Sequence, residues 1–253
     1  MKIPSEMYDY LSGAKFSNAY SLKLENNRLF RRIDELLSLT KGKKILHVGC
    51  CDHIPLIEEK IKSKTWLHGL LEDNCSMVVG VDISKEAVEY VNKRGLSKRP
   101  VYHMDLTDEK SLQRLNGYEF DSILMGEIVE HTNNPVSFLQ LVNRNMKSTL
   151  SFGGDYIITV PNAFSLQRGK GASGMEIINS DHKFWFTPYT ISKIMWEAGI
   201  KPNELFFVSY AYAGNGMNKY DSKFFRLLEI LSHKPSKYKS WRGDQMIIVG
   251  TPR

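Results

Sequence analysis

Residues 44–52 read KILHVGCCD, and residues 78–84 read VVGVDIS. Each stretch predicts a short buried strand, because its apolar run is continuous rather than alternating. The first strand ends at Gly49, where the absent Cβ allows a ligand to lie against the main chain. The second ends at Asp82, whose carboxylate can accept two hydrogen bonds from ribose hydroxyls. Together the two stretches predict a site for a ligand that carries a nucleoside.

Further apolar runs predict more strands, and helical spacing predicts the segments between them. The strand candidates are 44–49, 78–83, 100–104, 120–125 and 155–160, and the helical candidates are 54–71, 84–94, 109–115, 135–149 and 188–198. This alternation predicts an α/β fold with a parallel sheet covered by helices on both faces. Two late strands, 204–212 and 245–251, are expected to form an antiparallel edge pair. We therefore expect a main domain over 41–253, preceded by a helical lead-in at 1–40.

Three segments exceed what the sheet requires, namely 51–77, 161–187 and 213–243. The second contains the glycine-rich stretch 168–174. Long loops at the carboxyl ends of parallel strands commonly bind substrates, so we expect the first two segments to line a pocket. The third is rich in Lys and Tyr, and we interpret it as a lid or a partner surface, including a contact in a homodimer.

Composition indicates the cellular compartment of the protein and the kinds of partner that it can bind. The chain is 42% hydrophobic and carries a net charge of +6. It has no run of about 18 apolar residues and no basic-then-apolar leader, so we expect no membrane span and no export signal. The three cysteines, Cys50, Cys51 and Cys75, lack metal-ligand spacing and predict reduced thiols in a cytoplasmic protein. The charge suits an anionic partner such as nucleic acid, but the basic residues form no regular stripe.

The turn after the first strand departs from the dinucleotide-binding pattern. In that pattern a second glycine follows two residues after the first, so that the main chain can approach a pyrophosphate. Here Cys51 stands at that position. The departure argues against NAD or FAD and favours a nucleoside ligand without phosphates.

Four ordered motifs within residues 41–200 resemble those of the class I S-adenosylmethionine-dependent methyltransferases. They read KILHVGCC at 44–51, VGVDIS at 79–84, HMDL at 103–106 and FDSILMGEIVEH at 120–131. The resemblance implies a Rossmann-like fold with a mostly parallel seven-stranded sheet, an antiparallel edge strand and helices on both faces. It also implies that the chain binds S-adenosylmethionine and releases S-adenosylhomocysteine.

The resemblance assigns ten residues to this cofactor. They are Val48, Gly49, Cys50, Cys51, Asp82, Ile83, Asp105, Leu106, Met125 and Gly126. By this resemblance the turn after the first strand approaches the methionine part, and Asp82 holds the ribose while Ile83 packs on the adenine. Asp105 takes the adenine amino group, Leu106 lies on the ring, and residues 125–126 border the sulfonium. From the residues alone, Asp105 could instead cap the helix that follows it.

Methyl transfer to oxygen or nitrogen needs a base or a metal near the sulfonium. Glu127 lies three residues before Glu130 and four before His131, so a helical turn would place these side chains on one side. His182 follows in the stretch SDHKFWFT at 180–187. The Glu-x-x-Glu-His run resembles that of ubiquinone-pathway O-methyltransferases. The run together with the Asp-His-x-Phe segment at 181–184 resembles small-RNA 2′-O-methyltransferases. The resemblance implies that Glu127, Glu130, His131 and His182 hold a divalent cation such as Mg or Mn.

Other interpretations of these residues stay open. His182 or His131 could remove the acceptor proton without a metal, or the cluster could serve the fold. Glu127 and Asn162 are candidates to bind the acceptor, although the Pro-Asn pair at 161–162 is also typical of a turn. Trp185 lies among aromatic residues that could stack on an acceptor ring or pack in the core.

The expected function is methylation of a hydroxyl on a sugar, a glycan precursor or another small metabolite. The preference for glycans depends on the overall resemblance from His47 to Ile200. Methylation of an RNA 2′-hydroxyl is the first alternative, because it shares the four-residue cluster and suits the positive charge. A non-catalytic scaffold that binds the cofactor is the second.

Overall fold

The structure, a computed structural model, describes residues 1–25, 29–165, 178–209 and 240–253, apart from the side chain of Arg242. Its strands are β1 Phe30–Arg31, β2 Lys44–Val48, β3 Met77–Asp82, β4 Tyr102–His103, β5 Phe120–Gly126, β6 Leu150–Pro161, β7 Ile200–Ser209 and β8 Gln245–Pro252. They form one sheet with the order β1-β7-β8-β6-β5-β2-β3-β4.

Seven α-helices accompany the sheet within the described ranges. They are α1 Met7–Ser12, α2 Arg32–Thr40, α3 Ile54–Lys62, α4 Leu67–Asn74, α5 Lys85–Lys93, α6 Pro135–Met146 and α7 Pro188–Glu197. Consecutive residues of β5 point to opposite faces, and both faces are buried. Ile123 lies in the same apolar cluster as Leu139 of α6, whereas Leu124 lies in the cluster that contains Leu36 of α2. Burial on both faces explains the continuous apolar runs of the sequence.

The predicted Rossmann-like fold is confirmed, with two corrections to the sheet. The sheet has eight strands rather than seven, because the two-residue β1 pairs in parallel with β7. The antiparallel strand is also not at the edge, since β8 lies between β6 and β7 and pairs antiparallel with both. Its residues Met246, Ile247 and Ile248 are fully buried, as a central strand requires. Residues 210–212 of the predicted strand 204–212 lie outside the described ranges.

Two helical predictions need correction. In the lead-in that was expected to be helical over 1–40, the described residues form helices only at α1 and α2, and α2 begins at Arg32. The helix predicted over 54–71 is two helices, α3 and α4, because Lys64 adopts a left-handed φ of 54° between them. Residues 166–177 and 210–239 are not described, so the roles proposed for the 161–187 and 213–243 segments stay predictions. Among the described helices, none is long and apolar enough to cross a bilayer.

The parallel strands bring their carboxyl ends to one edge of the sheet. Val48 stands opposite Val81 on one side and Met125 on the other. Asp82 stands opposite His103 at the same edge. The four motifs of the sequence therefore converge on a single edge, which is where open α/β sheets bind ligands.

Two buried histidines pair between β2 and α4. Nδ1 of His47 lies 3.1 Å from Nδ1 of His68, and the two residues are 3% and 1% exposed. Burial lowers the pKa of His68 to about 4. Burial also lowers the pKa of His47 well below its usual value, and nearby His68 and Arg32 add to that effect. The lowered pKa values keep both rings neutral at pH 7, and one Nδ1 must then donate while the other accepts, so the rings are opposite tautomers.

We expect this pair to make the fold less stable in acid. A histidine whose pKa is lower in the folded than in the unfolded protein stabilises the fold fully above about pH 6.5, and that stabilisation is lost as the pH falls. For His68, the stabilisation of the fold that is lost between about pH 6.5 and pH 4 is on the order of 3 kcal/mol. Urea unfolding from neutral pH to about pH 4 should show a weaker pH dependence for His68→Gln than for the unchanged protein. Identical pH dependences would contradict this account.

Candidate active site

The turn after β2 depends on the absence of a side chain at Gly49. Gly49 has a φ of 67°, a left-handed conformation that L side chains rarely adopt. Its amide donates to the carbonyl of Val81 at 2.9 Å, which ties the turn to β3. A Cβ at this position would lie 2.9 Å from Cδ1 of Ile128. Gly49 is therefore required both by its backbone conformation and by the close approach of Ile128.

We expect Gly49→Ala to destabilise the fold by about 2–5 kcal/mol, since left-handed strain contributes about 1–2 kcal/mol and overpacking against Ile128 about 1–3 kcal/mol. Gly95 offers a matched control, because its φ is 59° but no atom lies within 4 Å of a Cβ placed there. Gly95→Ala should lose only the stability that corresponds to the left-handed strain. Urea unfolding of both variants measures the difference, and equal losses would show that Ile128 adjusts without cost.

Asp82 orders the turn and keeps capacity for a ligand. Its Oδ2 accepts from the amide of Cys51 at 2.9 Å, and its Oδ1 accepts from the amide of Ser84 at 2.9 Å. Burial raises the pKa of the carboxyl, and the backbone donors oppose that effect. Each carboxylate oxygen can accept more than one hydrogen bond, so both remain able to receive a ligand hydroxyl. The next residue, Ile83, is 71% exposed and presents an apolar surface beside the carboxylate.

Asp105 and Leu106 follow β4 at the same edge. Oδ1 of Asp105 accepts from the amide of Thr107 at 2.8 Å and from its hydroxyl at 2.7 Å. Asp105 thus caps its own turn and does not cap the following 3-10 helix, whose cap is Asp108. Leu106 is buried, at 3% exposure.

Glu127 follows β5 in a strained conformation. Its φ is 56°, and such a conformation costs a residue other than glycine about 1–3 kcal/mol. Its amide donates to the carbonyl and to Oγ1 of Thr159, each at 3.1 Å. The Thr159 hydroxyl lies 3.1 Å from Oε1 of Glu127 and accepts from Nη2 of the buried Arg32 at 3.2 Å. The expected helical turn over 127–131 is wrong in part, because only Val129–His131 forms a 3-10 turn.

Glu130, His131 and His182 nevertheless come together. Each offers one possible ligand atom, and these atoms lie within 4.8 Å of one another. Oε1 of Glu130 is 3.9 Å from Nε2 of His182, and the two imidazole rings are 4.7 Å apart at 85°. The amide of Lys183 donates to the carbonyl of Glu130 at 2.9 Å, which fixes the segment of His182 against the turn.

The tautomer of His131 follows from its backbone contact. Nδ1 of His131 lies 3.1 Å from the carbonyl oxygen of Asp181. A carbonyl can only accept, so Nδ1 carries the hydrogen and a neutral ring has its lone pair on Nε2. This is the arrangement that a histidine base or a metal-binding histidine requires.

Glu130 is the unusual member of the cluster. Its side chain is 0% exposed, and neither oxygen has a hydrogen-bond partner among the described residues. Burial and the nearby Glu127 carboxylate raise its pKa to about 9. Glu130 is therefore neutral at pH 7 unless a cation lies beside it.

The two other candidates for acceptor binding differ in their surroundings. Asn162 is fully buried, and its Nδ2 donates to the carbonyls of Trp241 at 2.9 Å and Gly243 at 2.7 Å. Its Oδ1 accepts from the amide of Phe164 at 3.0 Å. These bonds favour a structural role for Asn162, and its contact with an acceptor stays a prediction. Trp185 is partly buried, so its contact with an acceptor stays a prediction.

A surface groove of about 440 Å³ lies at the opposite edge of the sheet, where Met77 begins β3. Lys98 and Arg99 line it. We do not take it as the active site, because parallel α/β sheets bind their ligands at the carboxyl ends of the strands.

Comparison with known proteins identifies the family. A family model described as a methyltransferase domain matches residues 22–205. The chain belongs to this family. The methyltransferase is 25% identical over 200 residues to a ubiquinone biosynthesis O-methyltransferase of Dechloromonas aromatica (strain RCB). The matched region covers 70% of this chain and 72% of that protein. A mitochondrial protein of the same name from Dictyostelium discoideum is 23% identical over 184 residues, which span 61% of the methyltransferase and 54% of the relative.

Solved structures agree with the fold of this methyltransferase. An S-adenosylmethionine-dependent methyltransferase from Thermotoga maritima superposes with a TM-score of 0.52 at 14% identity, covering 87% of each chain. The magnesium protoporphyrin IX methyltransferase of Synechocystis PCC 6803, solved with bound S-adenosylhomocysteine, has a TM-score of 0.50 at 13% identity over 87% of this chain and 82% of that one. Such identities establish the fold alone. With the family match, the prediction of a class I S-adenosylmethionine-dependent methyltransferase is confirmed.

Proposed function

We propose that this methyltransferase acts on a hydroxyl oxygen of a small-molecule acceptor. The observation that carries the proposal is the cluster of Glu130, His131 and His182. Glu130 and His131 follow the end of β5 at Gly126 by four and five residues, and His182 joins them from a distant segment. The cluster supplies candidate proton acceptors where the reacting methyl group is expected. Both relatives are named O-methyltransferases, which supports oxygen as the methylated atom. Their names point to ubiquinone rather than to a glycan, so the proposal specifies the hydroxyl and leaves the glycan preference aside.

The proposed cofactor position follows the carboxyl ends of β2 to β5. Asp82 would accept the ribose hydroxyls through the capacity left on its two oxygens. The exposed side chain of Ile83 would pack on the adenine, and Gly49 would let the methionine part approach the main chain. S-adenosylmethionine supplies a methyl group on a sulfonium, which leaves as a neutral thioether when the acceptor oxygen attacks.

The remaining task of the protein is to orient the hydroxyl and remove its proton. Orientation of the two reactants contributes on the order of 7–11 kcal/mol in favourable cases. Nε2 of His131 carries a lone pair, and Nε2 of His182 lies 3.9 Å from Oε1 of Glu130. Neutral Glu130 is itself no base at pH 7, so its role would be to position a histidine. An imidazole of the cluster would accept the proton that the hydroxyl loses when it is methylated.

The same residues also fit a divalent cation. Glu130 is a buried carboxyl that accepts no hydrogen bond within the described residues, and His131 donates from Nδ1 to a backbone carbonyl. Both features are typical of metal ligands. Glu130, His131 and His182 would hold the ion, and Glu127 could complete the set. One carboxylate with two imidazoles suits Mn²⁺ or Fe²⁺ better than Mg²⁺, which prefers oxygen ligands. Such an ion would lower the pKa of the acceptor hydroxyl.

Turnover on a panel of acceptors tests this proposal. The panel contains catechols, free sugars, primary amines and RNA, and the transferred methyl group is located by mass spectrometry. We expect methyl ethers of the small hydroxyl compounds. Methylation of amines alone would contradict the proposal, and methylation of RNA alone, with binding that weakens steeply with salt, would favour the RNA alternative. Repeating the assay with a chelator, then with Mn²⁺ restored, distinguishes the two routes of proton removal.

A further inference from the structure

Two adjacent thiols lie beside the carboxylate that is proposed to hold the ribose. Sγ of Cys50 and Sγ of Cys51 are 4.0 Å apart. Both sulfurs and an oxygen of Asp82 lie within 4.8 Å of one another. Consecutive side chains of a strand point in opposite directions, but these residues follow the left-handed turn at Gly49, where that rule does not apply. The spacing of Cys50 and Cys51 in the sequence therefore does not predict how close their sulfurs lie.

The separation of the sulfurs matches that of a tetrahedral metal site. Zinc binds thiolate sulfur at about 2.3 Å, so two sulfurs in a tetrahedral site lie about 3.8 Å apart. With a carboxylate oxygen at about 2.1 Å from the ion, the sulfur-to-oxygen separation is about 3.6 Å. The observed 4.0 Å between the sulfurs of Cys50 and Cys51 is close to the expected separation of two sulfurs, and an oxygen of Asp82 lies within 4.8 Å of both.

The thiols are ligands for a soft cation, but burial raises the pKa of the Cys50 thiol well above its usual value, so a cation must displace its proton. Cys50 is 2% exposed and belongs to an apolar cluster with Ile57 and Val88. Gly80 makes room for it, because a Cβ there would lie 2.8 Å from Sγ of Cys50. Cys51 is only partly buried and provides access from solvent. Thiolate ligands select soft or borderline cations over Mg²⁺ and Ca²⁺.

We propose that Cys50, Cys51 and Asp82 form a binding site for a soft divalent cation, Zn²⁺ or Cd²⁺, and that this cation and the methyl donor exclude each other. On binding, each thiol releases its proton to water and each sulfur donates a lone pair to the ion, with no change of oxidation state. The exclusion rests on the proposed cofactor position, since it requires the same Asp82 oxygens to bind either the ribose or the ion. By linkage, each ligand weakens the other by the same factor.

Titration with Cd²⁺ tests the site, using intact, tag-free protein under reducing conditions without thiol reagents. Thiolate ligation of Cd²⁺ produces an ultraviolet charge-transfer absorbance, which carboxylate and imidazole ligation at the Glu130 cluster does not. We expect the absorbance to saturate at one ion per chain and to be lost in Cys51→Ser. Cys75→Ser is the matched control and should leave it unchanged, because Cys75 donates to the carbonyl of Thr40 at 3.3 Å, away from the turn. An absorbance that persists in Cys51→Ser, or disappears in Cys75→Ser, overturns the site.

A second titration tests the exclusion. The affinity for S-adenosylhomocysteine is measured by calorimetry with and without saturating Cd²⁺. We expect the ion to weaken that affinity at least tenfold in the unchanged protein and in Cys75→Ser. In Cys51→Ser, the affinity for S-adenosylhomocysteine should be the same with and without Cd²⁺. If Cd²⁺ binds the thiols without altering S-adenosylhomocysteine affinity, the exclusion is wrong; if S-adenosylhomocysteine fails to bind even without Cd²⁺, the proposed cofactor position is wrong instead.

Discussion

Asp82→Asn should weaken binding of S-adenosylhomocysteine by at least about 100-fold, because two hydrogen bonds to a charged group contribute about 1.5–3 kcal/mol each. The substitution keeps the shape of the side chain but removes the charge. It also replaces one accepting oxygen with an NH₂ group, which would face the amide of Cys51 or that of Ser84. Isothermal calorimetry measures the loss.

A matched control separates the ligand effect from a general effect of the substitution. Asp108→Asn makes the same chemical change at a carboxylate that caps the 3-10 helix Glu109–Leu115 through the amide of Lys110. We expect it to leave the affinity for S-adenosylhomocysteine unchanged. Thermal unfolding of both variants shows whether the turn still forms. Near-normal binding by a folded Asp82→Asn protein would mean that the ribose is held elsewhere.

His182→Ala should lower turnover by about 10²–10⁴-fold while the affinity for S-adenosylhomocysteine stays within a few-fold. The imidazole lies beside Glu130 in the cluster that follows β5, and the proposed cofactor position does not involve it. Steady-state assays measure turnover, and calorimetry measures affinity. Lys183→Ala controls for disturbance of the segment, since the side chain of the exposed Lys183 bonds only to the Asn133 side chain among the residues that the structure describes. Loss of S-adenosylhomocysteine binding by His182→Ala would assign His182 to the structure instead.

Glu130→Gln distinguishes the two routes of proton removal. At pH 7 an uncomplexed Glu130 is neutral, because burial raises its pKa to about 9. Glutamine resembles that neutral form, so a route through a histidine alone should keep most of the activity. A route through a cation should lose it, because an amide is a far weaker ligand than a carboxylate. Agreement between this variant and the chelator assay would settle which route operates.

The sequence predicts the strands well where burial on both faces imposes a continuous apolar run. The predicted 44–49 and 120–125 differ from β2 and β5 by one residue at their ends. The two-residue β1 escapes detection because both of its residues are exposed and too few to show a pattern. The position of β8 inside the sheet also follows from pairing with β6 and β7, which a local pattern does not encode.

For the candidate site, the order of the motifs predicts which residues meet, but not how they meet. Parallel strands deliver their carboxyl ends to one edge, which agrees with the resemblance that assigns Asp82, Asp105 and Gly126 to one cofactor. The left-handed conformation of Glu127 depends on its bonds to Thr159, which is 32 residues away. The pairing of His47 with His68, which are 21 residues apart, likewise arises from tertiary approach. No spacing rule along the chain contains that information.

A crystal structure with S-adenosylhomocysteine bound would test the central claim most directly. We expect the ribose hydroxyls within hydrogen-bond distance of the Asp82 carboxylate and the thioether sulfur facing the cluster of Glu130, His131 and His182. A nucleoside bound away from Asp82, or a sulfur that points away from this cluster, would contradict the account.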